Sequence, residues 1–270
     1  MPELPEVETS RRGIAPWLKD QTVSRVIMRQ HNLRWPIAPE IRQKLPGQKI
    51  QSLSRRAKYL LIGTDVGTAM FHLGMSGSLR IIEAGMPAGI HDHVDIELGS
   101  GKALRFRDPR RFGSLLWADD PSEHPLLRNL GPEPFAETFD GNYLWRIARG
   151  RRVSIKQFLI NQSIVVGVGN IYASESLYVA HIHPKRKAGC IALHRMESLA
   201  DAIKAVLSNA IDAGGTTLRD FHGSDDEPGY FQQQLKVYGR KNEPCLRCER
   251  PISVIVLGQR STYYCKDCQQ

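Results

Sequence analysis

The sequence has no apolar run long enough to cross a bilayer: its longest, such as Ile252 to Leu257 and Ile164 to Val168, fall far short of the roughly 18 residues a spanning helix needs. Cysteine is scarce, five residues in 270, which excludes a disulfide-built secreted scaffold. The first residues, Met1 to Glu6, lack the basic and apolar regions of a secretory signal, so the chain is expected to stay in a reducing cytoplasm. Acidic residues are outnumbered, 28 against 37 basic, for a formal charge of +9. With 41% hydrophobic and 24% charged residues, the chain is neither mainly disordered nor collagen-like nor a coiled coil, and its length favours two domains with room for a small third.

The positive excess is not a tail. It lies in short clusters within folded-looking sequence: Arg55 to Lys58, Arg105 to Arg111, Arg149 to Lys156 and Lys185 to Lys187. Such runs are commonly solvated faces; several in one chain suit a long polyanion, which on charge alone is either nucleic acid or a membrane surface.

Four of the five cysteines form Cys245-x2-Cys248 and Cys265-x2-Cys268 with sixteen residues between the pairs, the spacing of a four-thiolate zinc site. Between them Ile252 to Leu257 reads as a strand, Gly258 to Ser261 as a turn and Thr262 to Tyr264 as the returning strand. So short a unit cannot bury a core of its own, so the zinc is structural, with every coordination position filled by protein. Arg260 at the hairpin tip is then either a solubilising turn residue or a probe for phosphate. Cys190 is left over and reads as a small apolar residue.

Upstream, Leu193 to Ile211 has helical periodicity ending at Gly214-Gly215, and Ile155 to Ile160 and Ile171 to Val179 are shorter helices. The glycine-rich joint between those two ends at Asn170, a candidate N-cap. Gly167-x-Gly169 lacks the third glycine and the surrounding strand–turn–helix of a dinucleotide loop; a glycine turn opening a helix suits a phosphate, or is an ordinary helical corner. Asp225 to Tyr230 reads as a loop.

The first half opens with a helix near Pro5 and continues in strands. His93 to Leu98 alternates and returns through Ala103 to Arg107; Thr22 to Met28, Ile50 to Ser54, Tyr59 to Ile62, Ala69 to Leu73, Ser78 to Ile82 and Ser114 to Ala118 are further candidates. Short strands in this number predict a β-sandwich, with Gly131-Pro132 linking it to the helices. The His91-x-His93 and His181-x-His183 pairs lack the further nearby ligands a metal site needs.

Five segments taken together resemble the formamidopyrimidine-DNA glycosylase family: Pro2 to Thr9, His72-Leu73-Gly74-Met75-Ser76-Gly77, Asp108-Pro109-Arg110-Arg111-Phe112-Gly113, Val166 to Tyr172 and the four-cysteine finger. The likeness runs from Pro2 to Cys268. Endonuclease VIII shares the N-terminal Pro-Glu, the helix-two-turn-helix and the finger; Leu4 to Val7 and Arg110 to Phe112 lean toward the oxidised-purine branch.

The resemblance implies an α+β protein, with an N-terminal β-sandwich domain flanked by helices (2–132), a helical domain with a helix-two-turn-helix motif (133–240) and a four-cysteine zinc-finger β-hairpin (241–270). It implies a monomer acting on damaged double-stranded DNA held between domains, with no membrane partner and one structural zinc ion on Cys245, Cys248, Cys265 and Cys268. It also implies excision of 8-oxoguanine and formamidopyrimidines followed by strand cleavage. The alternatives are an oxidised-pyrimidine glycosylase of the endonuclease VIII kind and a non-catalytic zinc protein that binds lesions.

In this reading Pro2, with Met1 removed, supplies a secondary-amine nucleophile. An α-amino group titrates at about 7.7–8.0 against about 10.4 for lysine, so a usable fraction is free base at neutral pH. Glu3 would shuttle a proton to the sugar oxygen and Glu6 would hold the amine; both also suit the dipole of a helix start. Lys58 and Arg260 complete the implied catalytic set, each also touching phosphate. Met75, Arg110 and Phe112 would fill the hole left by an everted base, Arg110 meeting the widowed cytosine. Asn170 is a phosphate anchor; Lys156 and Arg219 fall near the base pocket, with residues 219–230 as a lid, and His91 and Tyr238 join the DNA-contacting set.

Overall fold

The N-terminal helix begins where the sequence sets a cap. In the computed structural model, which describes residues 2–215 and 234–270, α1 (Leu4–Leu18) starts after Glu3, and Glu6 reaches back to accept the Glu3 amide at 2.8 Å, closing a capping box. Leu4, Val7, Ile14 and Leu18 form its buried stripe.

That stripe covers a sandwich of two four-stranded antiparallel sheets, as the sequence led us to expect. One has the order β1 (Val23–Met28), β6 (Asp92–Leu98), β7 (Lys102–Arg107), β5 (Ser78–Glu83), and the other β2 (Ser52–Arg56), β3 (Tyr59–Thr64), β4 (Gly67–His72), β8 (Ser114–Ala118). Their inner faces share one apolar core in which Phe71 of β4 meets Phe106 of β7 edge to face, ring centroids 5.6 Å apart. The alternation of β6 does not turn its carboxylates to water: Asp95 and Glu97 are buried and held by Arg105 and Arg25. A short helix missed in the sequence, α2 (Glu40–Lys44), follows β1.

The second half is helical, with α3 (Gly141–Ala148), α4 (Ile155–Ile160), α5 (Asn170–Val179) and α6 (Leu193–Asp212). α3 was also missed; its N-cap Asp140 accepts the Tyr143 amide at 2.6 Å. The hairpin of β9 (Ser253–Leu257) and β10 (Arg260–Tyr264) turns on Gly258 and Gln259, both with positive φ, the conformation of a two-residue type I′ turn. Arg260 is therefore the first residue of the returning strand. Cys190 is exposed at the end of a single 3-10 turn, so it fills no core position.

The chain forms two compact units, Met1–Arg128 with Ala213–Tyr230, and Asn129–Asp212 with Phe231–Gln270. Among the described residues no helix is long and apolar enough to cross a membrane.

Candidate active site and metal centre

In the first unit, the start of α1 carries two buried carboxylates directly after a buried proline. Pro2 is buried and Glu3 and Glu6 are 3% and 1% exposed. Gly215, with φ of +83°, lies so close to Glu6 that a Cβ there would sit 3.3 Å from its carboxylate. Lys58 lies in the two-residue turn of the β2–β3 hairpin, beside Ala57 with φ of +54°. The hairpin is tied to α1 through Arg55, whose guanidinium donates to the Ala57 carbonyl at 2.8 Å and to Glu8 at 3.4 Å. Burial opposes ionisation of Glu8, but Arg11, Arg12 and Arg55 hold its carboxyl below the usual range, so the tie is ionic.

His72, at the end of β4, was not singled out in the sequence. Its Nδ1 accepts the Gly74 amide at 3.0 Å, which places the neutral ring's proton on Nε2. Burial, with Lys58 and Arg34 nearby, lowers it to about 4. A histidine closing a hydrophobic strand before a glycine turn was the available signal.

Two turns follow. Gly74 to Gly77 carries Met75, half-buried, and Pro109 to Phe112 carries the exposed Arg110 and Phe112, with the guanidinium 4.9 Å above the phenyl ring. His91 is half-buried and its carbonyl accepts the Asp108 amide at 3.0 Å; His93 is buried with Nε2 2.8 Å from the Asp108 carbonyl.

In the second unit Gly169, not Asn170, caps α5. Glycine takes the extended cap position, and as the first helical residue Asn170 keeps its amide for tertiary contacts: Nδ2 donates to the Ser261 carbonyl at 3.0 Å and the Tyr238 hydroxyl at 3.3 Å. Lys156, expected near a base pocket, is 1% exposed; its ammonium donates to the same Ser261 carbonyl at 3.1 Å and to the Thr262 hydroxyl at 2.8 Å. Through these two bonds it fastens α4 to the hairpin. Tyr238 packs on Tyr263, centroids 4.8 Å apart, and its amide, with those of Lys236 and Val237, donates to the buried Glu175 carboxylate at 2.8–2.9 Å. Glu175, also missed, looked like an ordinary polar residue of a helix. Arg219 and the expected 219–230 lid lie outside the described residues, apart from the unit boundaries above.

The four cysteine sulfurs lie within 4.8 Å of one another. Cys248 and Cys265 are 3.5 Å apart and Cys245 and Cys268 3.9 Å, near the edge of about 3.8 Å that a ZnS4 tetrahedron with 2.3 Å bonds requires, and well beyond the roughly 2.05 Å of a disulfide. Burial opposes ionisation of Cys245, yet the Tyr178 hydroxyl and the amides of Arg247 and Cys248 lower it to about 6, while burial and neighbouring thiols push Cys268 up to about 12. Such a set exchanges its protons for one divalent cation, and with four protein thiolates the structural zinc has no open position.

The described residues thus hold a pair of turns that presents an arginine and a flat ring to solvent, and a four-cysteine hairpin hydrogen-bonded to the first residue of α5. Residues 1–115 match the formamidopyrimidine-DNA glycosylase N-terminal domain, 130–222 the H2TH domain of that enzyme and 242–270 a zinc finger found in FPG and IleRS. The chain is 57% identical to the formamidopyrimidine-DNA glycosylase of Pseudomonas aeruginosa strain LESB58 over 270 residues, all of both chains. Among solved structures it is similar to the MutM (Fpg) protein of Thermus thermophilus, at 36% identity and TM-score 0.87 over 99% of this chain and 98% of that one. It is similar also to the Lactococcus lactis Fpg in complex with DNA containing an abasic site, at 32% identity and TM-score 0.90 over 99% of each chain. The chain belongs to the formamidopyrimidine-DNA glycosylase family, enzymes that are DNA glycosylases with abasic-site lyase activity.

Proposed function

We propose that this chain, acting as a cytoplasmic monomer on damaged duplex DNA, removes 8-oxoguanine and formamidopyrimidines and cleaves the strand by β,δ-elimination through Pro2. The observation that carries the reading is the buried Glu3–Glu6 capping box immediately after Pro2: it supports carboxyl groups fixed beside the amine, at the positive end of α1.

The amine of Pro2, free once Met1 is removed, attacks C1′, and the bond from C1′ to the base breaks as the base leaves with a proton. Glu3 protonates the sugar-ring oxygen as the ring opens, leaving an iminium between Pro2 and C1′. That cation acidifies the C2′ hydrogen. Its loss expels the 3′ phosphate, a second elimination expels the 5′ phosphate, and water releases the sugar fragment from Pro2. Lys58 contacts phosphate and assists these steps and Arg260 neutralises phosphate charge in them, with Asn170, His91 and Tyr238 as further DNA contacts. Met75 and Phe112 replace the everted base in the stack and Arg110 donates to the opposite cytosine. Arg219 is proposed at the pocket for the everted base; Lys156 acts through the hairpin. The working modules are 2–132 for catalysis, 133–240 for the helical domain and 241–270 for the finger.

Borohydride in the presence of 8-oxoguanine·C duplex is expected to trap a covalent adduct at Pro2, and Pro2→Gly to retain binding while losing cleavage. No adduct would overturn the reading; thymine glycol cut much faster than 8-oxoguanine would move the enzyme to the oxidised-pyrimidine branch.

A further inference from the structure

The Met75 turn and the Arg110–Phe112 turn are distant in sequence, and their connection runs through one carboxylate. Asp108 is 0% exposed. Its Oδ1 accepts the Ser76 hydroxyl at 2.8 Å and its Oδ2 accepts the Gly113 amide at 2.7 Å, so one oxygen serves each turn. Ser76 is itself 4% exposed, and its oxygen accepts the Arg110 amide at 3.2 Å. The Asp108 carbonyl takes the Arg111 amide at 3.2 Å, closing the turn, and also meets buried His93. Arg111 has a left-handed φ of +54° between Arg110 and Phe112, whose guanidinium and ring stack 4.9 Å apart.

The backbones are in contact as well. A Cβ on Gly74 would fall 2.3 Å from the carbonyl carbon of Phe112, and one on Gly113 2.7 Å from the His72 carbonyl oxygen, so neither glycine has space for a side chain. Gly74 also has φ of +63°. The Met75 turn therefore sits directly against the Phe112 peptide, with the Ser76–Asp108 pair as its buried fastening.

We propose that Asp108, through Ser76, is a positioning residue that makes Met75, Arg110 and Phe112 a single rigid unit. It touches no DNA; it sets the register of one turn against the other. This inference rests on the proposed function of those three side chains in filling the emptied stack and meeting the opposite base. The fastening matters most when a base must be pushed out and its hole filled, and least when the base is already missing.

Ser76→Ala removes the link while leaving the Asp108 contact to Gly113. Asp108→Asn leaves one oxygen acceptor and turns a donor toward a neighbouring donor or hydroxyl. Single-turnover excision from 8-oxoguanine·C duplex is expected to slow by roughly tenfold or more in both variants, the order of loss that a small misplacement causes. Strand cleavage at a preformed abasic site opposite cytosine is expected to stay within about threefold, and preference for 8-oxoguanine·C over 8-oxoguanine·A to shrink as Arg110 loosens. Ser76→Thr, which keeps the hydroxyl, restores both excision and preference. Parallel loss of excision and abasic-site cleavage would reduce Asp108 to a general structural residue, and unchanged excision and preference in both variants would likewise overturn the proposal. If Asp108→Asn fails to fold by thermal melting, Ser76→Ala decides the question. An unmodified enzyme that cuts neither 8-oxoguanine duplex would instead overturn the underlying functional reading, a result seen before any variant is made.

Discussion

Lys156 and Asn170 donate to the same acceptor, the carbonyl of Ser261, at 3.1 and 3.0 Å. The residue after Arg260 is thereby held by two helices of its own unit, so the placement of an exposed arginine is set by a buried lysine. Lys156→Ala removes a charged donor from the buried Thr262 hydroxyl and from the Ser261 carbonyl. We expect about 2 kcal/mol of lost stability, from the usual worth of hydrogen bonds to a charged group, together with faster zinc release to a chelator. Thermal melting and a colorimetric zinc assay measure both. A variant that melts and releases zinc like the unmodified chain would show that the fastening is not needed.

Zinc removal should have a local effect. The four sulfurs bridge the two knuckles around a hairpin with little core of its own, so chelation is expected to unfold residues near 245–268 and leave the sandwich intact. Near-ultraviolet circular dichroism of Tyr263 and Tyr264 reports the first, and the far-ultraviolet sheet signal the second. Strand cleavage should fall as Arg260 loses its seat and return when zinc is restored.

His72 makes stability depend on pH in a defined window. Its folded-state value is lowered to about 4 from the ordinary 6.5 by burial and by Lys58 and Arg34. Above about 6.5 the ring is neutral in both folded and unfolded chains; between 6.5 and 4 the unfolded chain takes up a proton that the folded one refuses. The contribution is therefore complete at neutral pH and declines as pH falls through this window, by up to about 3 kcal/mol. Urea unfolding at pH 7 and pH 4.5 should show this slope in the unmodified chain and less of it in His72→Gln.

Glu175 gathers three successive amides at 2.8–2.9 Å. Glu175→Ala leaves them without that acceptor in a buried site and is expected to cost about 3 kcal/mol or more. Hydrogen exchange should accelerate at Lys236, Val237 and Tyr238 before it does elsewhere in the unit. Uniform acceleration would mean that the carboxylate does not hold this segment specifically.

What the sequence made legible follows from what repeats locally. Cysteine spacing defined the metal site, and apolar periodicity defined the eight sandwich strands and α6, because each is a pattern within one segment. The helices α2 and α3 bury too little apolar surface for a face to emerge, Ile41 alone in one and Leu144 between the small Gly141 and Ala148 in the other, whereas the short α4 buries Ile155, Phe158 and Leu159. Buried charges were the least legible. Lys156 belongs to a basic run whose other members reach solvent, and Asp95 lies at an alternating position that a sandwich ordinarily turns to water; in each case a partner remote in sequence, Thr262 or Arg105, decides the burial. Asp108 and His72 lay within motifs that had been recognised, yet their neighbours' exposed side chains drew the functional reading.

Lys58 follows Ala57, Arg110 precedes Arg111 and Arg260 follows Gln259, and those three neighbours have φ of 54°, 54° and 61°. Conformational strain is thus stored beside these three cations, roughly 1–2 kcal/mol wherever a side chain is forced into the left-handed region. At exposed Arg111 and Gln259 a glycine would relieve it, offset in part by the greater freedom of glycine in the unfolded chain. Selection for thermal stability alone would favour glycine at these two turns. Retaining side chains there keeps the turns stiff, so resistance to heat and accuracy of aim are opposed at the same two residues.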